Sequence, residues 1–66
     1  MPMTSKEMIN LLKDNGFIQL RQDGSHIFME NKATNKRTTV PYHNKSLGKG
    51  LEYKILKQAG LKSSDH

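Results

Sequence analysis

Cysteine is missing from this chain, and long apolar runs are missing with it. The first absence excludes disulfides and thiolate metal sites, and nothing points to an oxidising compartment. The second leaves no stretch long enough for a signal peptide or a membrane span, so a cytoplasmic protein is the expectation. Acidic residues are scarce as well: six Asp and Glu against eleven Lys and Arg give a formal charge of +5. That balance argues against carboxylate-rich sites and attracts polyanions, nucleic acid among them. Apolar residues make up only 33% of 66 positions, enough for one small domain and one small core.

What the chain does have is clear local punctuation. Thr4-Ser5-Lys6-Glu7 is a capping box, in which Thr4 caps the backbone and Glu7 reaches back to it. Met3 and Met8 stand at the two positions of a hydrophobic staple around that cap. Met8, Leu11 and Leu12 recur at helical spacing until Asn15-Gly16 supplies a left-handed stop, which predicts a helix over 4–15. Strands are expected over 17–22, 25–30 and 37–40, the last closed by Pro41, which lacks a ladder donor. A connector over 42–49 leads to a second amphipathic helix marked by Leu51, Ile55, Leu56 and Ala59. Gly60 followed by Leu61 reads as a Schellman ending, and residues 62–66 as a flexible tail.

The predicted fold class is therefore α+β, in the order α-β-β-β-α. Two helices can cover one face of a three-stranded antiparallel sheet and leave the other open. Asp23-Gly24 between two apolar runs predicts a type I′ turn, which sets Arg21 opposite His26 and Gln19 opposite Phe28. In that register Ile18, Leu20, Ile27 and Met29 form a core face, since side chains alternate along a strand. The other face then carries His26, Arg21, Gln19 and Phe28. An imidazole, a guanidinium and an aromatic ring gathered on an open sheet suit a phosphate and a base.

The capped helix ending in Asn15-Gly16-Phe17 is followed by Gly24-Ser25-His26-Ile27-Phe28, by Val40-Pro41-Tyr42-His43 and by Ile55-Leu56-Lys57-Gln58-Ala59-Gly60-Leu61. In that order and spacing the segments resemble the HicA family of toxin ribonucleases, mRNA interferases of bacterial toxin–antitoxin pairs. The likeness spans about residues 3 to 61, and 1–61 is taken as a single HicA-like domain. It implies a fold like that of double-stranded-RNA-binding domains, which agrees with the α-β-β-β-α order. It also implies that His26 is the catalytic histidine and that a HicB-type antitoxin is the partner.

Imidazole chemistry suits that role, because it exchanges protons near neutral pH with a ribose 2′-hydroxyl or a leaving 5′-oxygen. Arg21 is a supporting candidate for charge on the phosphorane, Ser25 for orienting the turn or the phosphate, and His43 for a second acid or a phosphate contact. Phe28 can stack on an unpaired base or be covered by the antitoxin. Gln19, Lys36, Arg37 and Lys45 are further RNA-binding candidates, while most of the remaining lysines read as solvated charge. His26 and His43 lack metal-ligand spacing and a carboxylate cluster, so neither metal nor cofactor is expected.

The expectation is a metal-independent toxin endoribonuclease acting on mRNA, monomeric when free and hetero-oligomeric with its antitoxin. The alternative is a non-catalytic module of the same fold that recognises duplex RNA by shape.

Overall fold

The computed structural model describes residues 3–42 and 46–61. Five elements follow in the order α1 (Ser5–Asp14), β1 (Ile18–Asp23), β2 (His26–Asn31), β3 (Lys36–Pro41) and α2 (Lys49–Gln58). The three strands form one antiparallel sheet in sequential order, with β2 in the middle. This is the predicted α+β arrangement of double-stranded-RNA-binding domains.

Both helices stop by the same device. Past α1, Gly16 donates to the Lys13 carbonyl and Phe17 to that of Leu12. Past α2, Gly60 donates to Lys57 and Leu61 to Leu56. Gly16 and Gly60 take φ of +93° and +76°, as a Schellman ending requires. The capping box at Thr4 forms in full, with Glu7 N–H donating to Thr4 Oγ1 and Thr4 N–H to Glu7 Oε1. Both ends of α1 are thus satisfied by residues adjacent in sequence.

The core forms where the apolar stripes of the helices meet one face of β2 and β3. Met8 and Leu12 of α1 and Ile55 and Leu56 of α2 pack with Ile27, Met29 and Val40. Thr38 is buried among them, and its hydroxyl donates to Gln58 Oε1 at 3.1 Å, tying β3 to α2. Asn31 at the end of β2 donates to the Asn15 carbonyl at 3.0 Å and pins the end of α1 to the sheet. The opposite face of β2 and β3 carries His26, Phe28, Thr39 and Pro41 outside this core, and α2 borders it along β3.

Two expectations about β1 are corrected by the structure. The turn is Gly24-Ser25, with Asp23 opposite His26, and not Asp23-Gly24. Gly24 takes φ +62° and Ser25 keeps a negative φ, the pattern of a type II′ turn, which needs glycine only at its first central position. A bulge between Gln19 and Arg21 then shifts the register again, so Gln19 opposes Met29 and Ile18 opposes Glu30. Ile18 and Leu20 are consequently not core residues: they are 47% and 48% exposed. The helices pack against β3, and every residue of β1 is left exposed.

Candidate functional site

His26 is the first residue of β2 and is exposed on the open face. Its ladder neighbours are Asp23 on β1 and Pro41 on β3. Two short hydrogen bonds hold the strand ends around it. Tyr42 N–H donates to the Ser25 carbonyl at 2.6 Å, and the buried Ser5 hydroxyl of α1 donates to the Pro41 carbonyl at 2.6 Å. The imidazole is thus presented from a backbone fixed on both sides. Asp23, rather than Arg21, faces it directly.

Phe28 lies two residues further along β2, on the same face as His26. Arg21 stands opposite Phe28, its guanidinium carbon 4.8 Å from the ring centroid. At an exposed site such a cation–π contact is worth about 0.5–1 kcal/mol. Stacking of a nucleobase on an aromatic side chain is worth about 1–3 kcal/mol, so a base can displace the guanidinium from the ring. A displaced Arg21 is then free to contact a phosphate.

Two adjoining grooves cross this region and share Thr39 and Gln58. The larger, about 570 Å³, is lined by Leu20, Arg21, Phe28 and Arg37. That is within the range of about 300–1,000 Å³ typical of small-ligand sites. The smaller, about 260 Å³, lies between the sheet and α2. His26 and Pro41 line it from the sheet, and Leu51, Lys54 and Gln58 line it from the helix.

The remaining candidates divide. Arg37 is on the open face opposite Glu30 and pairs with it at 3.0 Å, while staying largely exposed. Ser25 is the second central residue of the turn and contributes its backbone carbonyl to the strand ends beside His26. Lys36 alternates with Arg37 and belongs to the face of Thr38 and Val40; its stem runs beside Gly60 at the end of α2. It is not brought together with His26. Neither is Gln19, which the bulge sets opposite Met29 instead of Phe28. His43 and Lys45 lie outside the described residues. Among the described residues no three His, Cys, Asp or Glu side chains gather as a metal site would require.

Asp23, Thr39 and Gln58 were not singled out as site residues by the sequence, and Lys54 stood there only as one of several lysines around the second helix that could contact a phosphate. Thr39 was within reach, because alternation from the buried Val40 puts it on the open face. The spacing of Leu51, Lys54 and Gln58 marks one side of α2, but nothing local says that this side borders His26.

Residues 5–61 match the family described as HicA toxin of bacterial toxin-antitoxin. The chain belongs to the HicA toxin family. A comparison with curated proteins gives no match. In this HicA-family toxin the segment Gly24-Ser25-His26-Ile27-Phe28 is the hairpin turn and the start of the central strand. Gly24 supplies the positive φ, Ile27 enters the core, and His26 and Phe28 are left on the open side. Val40-Pro41-Tyr42 is the strand end that closes on Ser25 and His26. In Ile55-Leu56-Lys57-Gln58-Ala59-Gly60-Leu61, the first two residues and Ala59 are core and Gly60-Leu61 completes the helix ending. No helix among the described residues is long and apolar enough to cross a membrane.

Proposed function

We propose that this HicA-family toxin is an endoribonuclease that cleaves single-stranded mRNA in the cytoplasm without a metal ion, using His26. The observation that carries the reading is His26 on an open sheet face, beside an aromatic ring and within a cationic protein. Family membership as a toxin of a toxin–antitoxin pair supports it.

The chemistry is transesterification. His26 takes the proton of a ribose 2′-hydroxyl, the 2′-oxygen bonds to phosphorus, and the P–O5′ bond breaks. The leaving 5′-oxygen takes up a proton from solvent, and a 2′,3′-cyclic phosphate remains on the upstream fragment. Phe28 receives a base, and Arg21, once off the ring, stabilises charge on the phosphate. A cognate HicB-type antitoxin would neutralise the toxin by covering His26 and Phe28, which an open face allows.

Duplex RNA fits less well. Readers of duplex RNA follow its shape across grooves, where paired bases cannot be splayed onto a ring. The test is cleavage of an end-labelled single-stranded transcript in EDTA, with His26→Ala beside the parent. The expected result is cyclic-phosphate ends from the parent and a loss of about 10²–10⁴-fold in the variant, the usual weight of general acid–base catalysis. Binding of duplex RNA without cutting by either protein would replace the nuclease with the binding module.

A further inference from the structure

We propose that Lys54 of α2 is the phosphate-binding partner of His26, holding the non-bridging oxygens of the scissile phosphate across the smaller groove. The proposal rests on the nuclease reading above and names a residue that reading does not use.

His26 has two unlike flanks. On the β1 side Asp23 faces it in the ladder, and a carboxylate there repels a phosphate. On the β3 side lies the groove of about 260 Å³, whose far wall is α2. Lys54 is exposed on that wall, and Leu51 and Gln58 complete the same helical stripe at i−3 and i+4. An anion approaching His26 is therefore disfavoured beside Asp23 and met by an ammonium across the groove.

Among the described residues, the other cations near the open face have other contacts in the unliganded protein, although Arg21 can leave its ring. Arg21 lies over Phe28, and Arg37 is paired with Glu30. Lys36 runs along the end of α2 from the opposite face of β3. Gln58 is held by the Thr38 hydroxyl, which fixes this part of α2 against the sheet and so sets the width of the groove. A lysine suits the task because its compact charge on a long stem can follow a phosphate as it becomes a phosphorane.

The test compares Lys54→Gln, Lys54→Arg and, as a control outside the groove, Lys13→Gln of α1. Each is measured for thermal stability, for kcat and KM on single-stranded RNA, and for its response to inorganic phosphate. That response is read on the His26 imidazole resonances, assigned with His26→Gln. Lys54→Gln is expected to lower kcat about 10- to 100-fold with unchanged melting, in line with the loss of one charge-stabilising group. Lys54→Arg should recover most of that loss, and Lys13→Gln should match the parent. In the phosphate titration, saturable shifts of the His26 resonances should weaken selectively in Lys54→Gln. Parental kcat in Lys54→Gln would overturn the proposal. If the parent itself cuts no RNA, the nuclease reading fails and the titration decides alone. A phosphate response lost only in Lys54→Gln would then uphold an anion site shared with His26, and equal or absent responses would overturn it.

Discussion

Arg21 and Phe28 are direct partners in the β1–β2 ladder, with the guanidinium carbon 4.8 Å from the ring centroid. The pairing exists because the turn begins at Gly24 and not one residue earlier. It places a cation over an aromatic ring two residues from His26. Under the proposed ribonuclease reading, one contact would be exchanged for two, the base taking the ring and the arginine a phosphate.

Phe28→Ala should therefore weaken binding of single-stranded RNA by about 5- to 150-fold, since a stacked base is worth about 1–3 kcal/mol. Arg21→Gln should act differently, lowering the salt sensitivity of binding through loss of a phosphate contact. Fluorescence anisotropy with a non-cleavable 2′-deoxy-substituted oligonucleotide over a range of salt separates the two. Equal salt slopes for the parent and Arg21→Gln would show that Arg21 never reaches a phosphate.

The bulge in β1 separates two residues, Leu20 and Met29, that the unbulged register would place together in the core. Leu20 is 48% exposed and Met29 only 1%. Met29→Ala should cost about 2–5 kcal/mol, as large-to-small changes in a core do, whereas Leu20→Ala should cost less than about 1 kcal/mol. Urea denaturation of both variants checks this. Comparable losses would return Leu20 to the core.

Gly16 serves two purposes at the end of α1. Its φ is +93°, and a Cβ there would come within 3.1 Å of Asn31 Nδ2, the donor that holds the end of α1 to β2. Gly16→Ala should destabilise the protein by more than about 1 kcal/mol. In a domain this small that lowers the melting temperature by about 4–8 °C or more, measurable by circular dichroism.

Ser5 links the first helix to the strand end beside His26 by donating to the Pro41 carbonyl. Ser5→Ala should cost about 0.5–1.5 kcal/mol, the net value of one hydrogen bond. It should also slow RNA cleavage at temperatures well below the melting point, because the His26 neighbour on β3 loses an anchor. Full activity in a measurably destabilised Ser5→Ala would separate the anchor from the site.

Much of the fold was legible because its signals are local. The capping box at Thr4, the stops at Gly16 and Gly60 and the helical spacing of Met8, Leu11 and Leu12 each act within a few residues. The open-face placement of His26 and Phe28 was legible too, since alternation along one strand does not depend on its partners. The partners themselves were misread. Asp23-Gly24 and Gly24-Ser25 are both acceptable hairpin turns, and the choice moves Arg21 from His26 to Phe28. The bulge that turns Ile18 and Leu20 out of the core has no local signature in Gln19-Leu20-Arg21.

The sequence by itself determined the five elements, their order and the side of β2 on which the imidazole stands. Capping, turn chemistry and periodicity are properties of neighbouring residues, and those need no tertiary structure to act. Which groups surround His26 was decided only by the folded chain. Asp23 comes opposite it through a turn one residue later than expected, Ser5 steadies its surroundings across 36 residues, and Lys54 lines the same groove because α2 packs along β3. These are relations between elements, set by how a small core closes, and no single stretch of this sequence contains them.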